Sequence, residues 1–125
     1  MSLLVHVFVY APDGSRDYLD APDGVSETAG FERWRTSVWG SPVVRSLGAR
    51  FFPRLAEDDL YVEADEAGSF LDECALLASH VPLIVAGMDP GRTAEEHTHH
   101  LTSKLAHISR AARRAVEAGG GVVIW

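Results

Sequence analysis

The chain has 125 residues, 46% of them hydrophobic and 23% charged, with a formal net charge of −7 and a single cysteine. That composition excludes disordered and collagen-like chains, and the length suits one domain, residues 1–125, around one buried core. The acidic balance argues against nonspecific nucleic-acid binding, which needs clustered Lys and Arg, and the lone Cys74, between Phe70 and Leu77, reads as a packing thiol that can form neither an internal disulfide nor a cysteine zinc site.

Residues 3–10 are apolar on both alternating faces, interrupted only by His6. The pattern predicts a strand in the middle of a sheet, covered on both sides. The run is eight residues long with no basic segment before it, so neither a signal peptide nor a membrane span is expected of it, and a cytoplasmic location is expected. Residues 11–26 carry Ala-Pro-Asp-Gly twice, at 11–14 and 21–24, a turn signature each time, and predict a long acidic loop. Ser26 or Thr28 can cap a helix with Phe31, Trp34 and Val38 on one face, ending near Gly40. On such a helix Trp34 and Trp39 are splayed by about 140°. Trp39 is then left at the edge beside Arg35, the composition of an interface hot spot, unless it packs under the next unit. That unit is a short helix with Ser41 as N-cap, Pro42 at its first position and Gly48 as its stop. Residues 50–55 and 60–62 predict a hairpin turning at Glu57-Asp58-Asp59, with Pro53 placing the first strand at an edge.

Phe70, Cys74, Leu77, Val81, Ile84 and Met88 keep one apolar stripe at helical spacing. Pro82 interrupts it, so the choice lies between a kinked helix over 66–88 and a helix ending near His80 followed by a strand at 83–85. The unbroken register favours the kinked helix. From Thr93 a second helix presents Leu101, Leu105, Ile108, Ala112 and Ala115 on one face until Gly119-Gly120-Gly121 stops it. Residues 122–125 are four consecutive apolar residues, which predicts a strand tied into the sheet. The resulting fold class is α+β: a small mixed or antiparallel sheet with the N- and C-terminal strands central, covered by a helical hairpin.

Charge is segregated along this chain. Residues 57–73 hold eight carboxylates and no basic residue, whereas 31–56 hold five arginines against one glutamate. Unrelieved fields of this kind suit a partner of matching charge. The leading reading is therefore a non-enzymatic acidic protein-binding module for a basic partner, with Asp58, Asp59, Glu63, Asp65, Glu66 and Trp39 as its contacts. Small acidic inhibitors, immunity proteins against nucleases among them, act in this way; the likeness is one of charge and size, with no shared motif.

The histidines carry the alternative. Glu95, Glu96, His97, His99 and His100 crowd the first turns of one helix, but at 100° per residue no three histidines converge on one point. Glu96 and His100 could supply two ligands, and early acids also suit the positive end of a helix dipole without any metal. His6 reads as a strand histidine satisfied by a nearby carboxylate or carbonyl. The alternative function is a small enzyme or ligand-binding domain with a pocket between sheet and helices, using His6, Glu96, His97 and His100. A third reading is a homo-oligomer pairing the arginine-bearing face of one copy with the acidic face of another. No nucleophile elbow, phosphate loop, zinc-protease or EF-hand motif occurs, so neither catalytic residues nor a cofactor nor a resident metal is assigned.

Overall fold

A computed structural model describes residues 2–125. Its centre is the pairing of β1 (Ser2–Tyr10) with β5 (Gly121–Ile124), antiparallel with Val5 opposite Ile124 and Val7 opposite Val122. One edge of β1 is shared by β2 (Arg16–Leu19) and β3 (Thr28–Phe31), and β4 (Leu60–Val62) closes the sheet beyond β5. The terminal strands are central and every pairing is antiparallel, which is the α+β arrangement read from the sequence.

The helices lie on one face. α1 (Pro42–Ser46) starts as expected, with the Ser41 hydroxyl accepting the Val44 N–H. α2 (Ala67–Ala78) and α4 (Ala94–Ala118) pack together, and α4 also packs across β1 and β3. Thr93 caps α4 through the Glu96 N–H, and Gly119 ends it at φ +70°, a left-handed conformation that glycine adopts without cost. Leu3, Val5 and Val7 of β1, Leu60 and Val62 of β4, and Val122 and Ile124 of β5 point into the core against Phe70, Leu77, Leu101 and Ile108.

Four expectations are corrected. The helix expected to begin at Ser26 or Thr28 is instead β3, because Gly30 adopts φ +108° and the Trp34 indole lies where a Cβ would stand, 2.5 Å from Cε3. After β3 the chain forms a π-helical turn, Arg35–Trp39, closed by the Gly40 N–H donating to the Arg35 carbonyl. The long acidic loop contains β2, so only its two Pro-Asp-Gly segments are turns, with Gly14 and Gly24 at positive φ. Residues 50–55 form no strand: Phe52–Ala56 is a 3-10 helix, and β4 pairs with β5 instead of with this segment. Finally, the 66–88 helix breaks completely at Ser79 and His80, and Pro82 sits in the first turn of α3 (Val81–Ala86). The apolar stripe nonetheless stays in register: Phe70, Cys74, Leu77, Val81 and Ile84 are all buried, because proline in a first helical turn removes no internal hydrogen bond.

Candidate functional site

Alternation in the strands sends Phe8, Tyr10, Tyr18, Tyr61 and Trp125 to the sheet face away from the helices, together with His6 and Arg16. Among the described residues no other element covers this face, which corrects the expectation that β1 is covered on both sides. The rings cover one another. Phe8 meets Tyr10 and Tyr18 edge to face, Tyr18 lies tilted 5.3 Å from Trp125, and Tyr61 and His6 stand edge-on to the same indole. The Arg16 guanidinium lies over Tyr61, Phe8 and Tyr10 at 4.5, 5.1 and 5.7 Å. This layer buries Phe8 fully yet leaves Trp125, Tyr18 and Tyr10 36, 41 and 48% exposed.

A carboxylate stands at each end. Glu63 accepts hydrogen bonds from the Tyr10 hydroxyl and, at 3.1 Å, from Arg16 Nη2. The Tyr10 bond and then Arg16 hold the Glu63 carboxyl below the usual range, and the same bond raises the Tyr10 phenol. At the other end His6 Nδ1 accepts the Trp125 indole N–H at 2.8 Å, so its proton sits on Nε2, 3.5 Å from Glu27 Oε2.

The sequence-predicted acidic contacts divide into three kinds. Asp58 and Asp65 are exposed, and Glu66 is half-buried and makes no capping bond at the start of α2. Asp59 is ion-paired at 2.7 Å with Arg35, whose guanidinium also holds Glu32 and the Asp58 carbonyl, so the two opposite charge segments meet and partly cancel there. Glu63 is engaged by Arg16. Glu73, counted with this segment, is not a surface charge at all: it is 8% exposed and accepts the N–H groups of Arg50, Phe51 and Phe52. It thereby fixes the start of the 3-10 helix that replaces the expected strand.

Trp39 is fully buried, which removes it from the contact surface. Its indole N–H donates to the Ala29 carbonyl and its ring packs against Trp34 and Phe52. The π-helical turn is the reason. A turn widened by one residue brings side chains five apart back towards one side, whereas an α-helix splays them.

The histidine cluster does not assemble. Glu96 is exposed and lies 3.9 Å from Arg92, the His100 ring stands against that of its neighbour His99, and His6 belongs to the opposite side of the sheet. His97 alone is buried, its Nε2 donating to the Asp89 carbonyl at 2.6 Å. Among the described residues no three His, Cys, Asp or Glu side chains converge on a metal-sized point. The cavities that His97 lines, about 260 and 370 Å³, lie at the outer ends of the helices, not between helices and sheet as the pocket reading expected. Burial pushes the Cys74 thiol up to about 12, so it stays protonated and unreactive at neutral pH.

Sequence reasoning missed Tyr10, Arg16, Tyr18, Tyr61 and Trp125. The signal was present as the alternation Arg16-Asp17-Tyr18-Leu19 and as aromatic residues at the outward positions of three strands. The Pro-Asp-Gly turns on either side of residues 16–19 mask it, because they give the whole of 11–26 the pattern of one loop. No family model, curated protein or solved structure matches this chain, and among the described residues no helix is long and apolar enough to cross a membrane.

Proposed function

We propose that the protein is a non-enzymatic binding module that engages a basic protein partner through the open aromatic face of its sheet, with the exposed carboxylates near β4 steering the approach. The observation that carries this reading is the exposure on one sheet face of Tyr10, beside Arg16, and of Tyr18, beside Trp125. Tyr, Trp and Arg are the residues that dominate binding energy at protein interfaces, because rigid rings bring large area at small entropic cost. Glu57, Asp58 and Asp65 are solvent-exposed beside the same edge strand, where complementary charge raises association rates.

Stacked rings on a sheet also suit single-stranded nucleic acid. Among the described residues the one guanidinium over these rings, Arg16, is neutralised by Glu63, and Glu27 stands at the far end. A phosphate backbone would be repelled, so a protein partner is favoured. The partner of an inhibitor or immunity-type protein would have this basic chemistry.

The test uses three immobilised baits against lysate of the source organism: wild type, Tyr18→Ala with Tyr61→Ala, and Asp58→Asn with Asp65→Asn. One basic protein should be retained by wild type, lost by the aromatic variant, and bound more slowly by the amide variant with a difference that shrinks as salt rises. Identical recovery on all three baits, or recovery of nothing by wild type, would overturn the proposal.

A further inference from the structure

The cavity of about 260 Å³ between the π-helical turn, the end of α3 and the start of α4 is lined by two arginines, Arg33 and Arg92, beside the buried His97. Its other walls include Trp34, Val38 and Met88. We propose that it binds a small organic acid, whose carboxylate is held by Arg33 and Arg92 and whose apolar part lies against Trp34, Val38 and Met88.

Three independent features point there. In a chain with 18 acidic residues, Arg33 pairs with no carboxylate among the described residues, its guanidinium lying over the Phe31 ring at 4.8 Å. Arg92 has only the loose contact to the exposed Glu96. Arginine forks bind carboxylates through paired charge-assisted bonds, and neither fork here is committed to one. Secondly, Arg33 and Trp34 lead into the π-helical turn, which contributes Ser37 and Val38 to the same wall. Such turns are rare overall and frequent at functional sites. Thirdly, the ring of His97 is fixed by its bond to the Asp89 carbonyl, and the Asp89 carboxylate is drawn back onto the Gly91 N–H at 2.8 Å. The wall is thus preorganised, and the one acid on it is committed to its own turn. The volume lies below the range usual for drug-sized ligands, which limits the ligand to a small one. The mix of apolar wall and two cations favours an organic acid over a bare inorganic anion.

Benzoate is the probe, with neutral benzamide and inorganic phosphate as controls, followed through the Trp34 indole and Arg33 side-chain N–H resonances of the full chain. Benzoate should give saturable shifts, and both controls should bind at least about tenfold more weakly, the weight of one charge-assisted contact. Arg33→Gln and Arg92→Gln should each weaken benzoate by a similar factor, and Arg33→Lys, which keeps the charge without the fork, should retain part of the affinity. Both arginines are exposed, so melting of the variants at the wild-type temperature verifies that the fold is intact. Equal binding of benzamide, phosphate as tight as benzoate, shifts that never saturate, or wild-type affinity in Arg33→Gln would each overturn the assignment. None of these outcomes depends on the sheet face, so this site and the partner interface stand or fall separately.

Discussion

The two faces of the central sheet begin from the same strand alternation and reach burial by different routes. On the inner face aliphatic residues of β1, β4 and β5 meet helices, and Val7, Val62, Val122 and Ile124 lose all contact with water. On the outer face β1, β2, β4 and the residue after β5 present rings and an arginine, which shield Phe8 while Trp125, Tyr18 and Tyr10 remain a third to a half exposed. An inner residue therefore answers to packing density, where a lost methylene leaves a void. An outer residue answers to its neighbours on the face, and for Tyr10, Tyr18 and Trp125 a third to a half of the surface is still available to be buried by something else. On the proposed function, stability and recognition are divided between opposite sides of the sheet, at positions one residue apart in sequence.

The division can be broken by comparing one substitution on each side. Ile124→Ala should lower unfolding free energy by about 3 kcal/mol, since it empties a fully buried site. Tyr18→Ala should cost only about 1 kcal/mol, the scale of an aromatic pair, while abolishing partner capture. Equal losses in denaturant unfolding would show that the outer face is core.

A second contrast divides the acidic segment. Glu73→Gln should cost about 2 kcal/mol, because an amide replaces one charged acceptor with a donor among three N–H groups, two of them buried. Asp58→Asn, on the exposed side, should change stability by less than about 0.5 kcal/mol.

The smallest effect concerns pH. The folded carboxyl of Glu63 lies below its ordinary range, so its contribution is present above the unfolded-state value and is lost as pH falls through the folded one. Glu63 is 39% exposed, and solvent screening keeps the contribution small. Tyr10→Phe should flatten the acid limb of the stability curve by removing the largest cause of the shift. An unchanged limb would mean that Arg16 alone holds the carboxylate.

Local chemistry was legible wherever a residue acts on its immediate neighbours. The caps at Ser41 and Thr93, the stop at Gly119, the stripe from Phe70 to Ile84 and the strand character of residues 122–124 all follow from spacing and backbone preference. The sequence by itself thus determined the α+β class and the central place of the terminal strands. Only tertiary structure decided the rest, because it turned on contacts between distant segments. Glu73 gathers three N–H groups from twenty-odd residues earlier, and Arg35 reaches Asp59. The π-helical turn changes the helical period on which the exposure of Trp39 was judged. The aromatic face exists because Tyr18, Tyr61 and Trp125, each an isolated ring in the sequence, are placed in register by three strand pairings, and register is a property of the sheet rather than of any one strand.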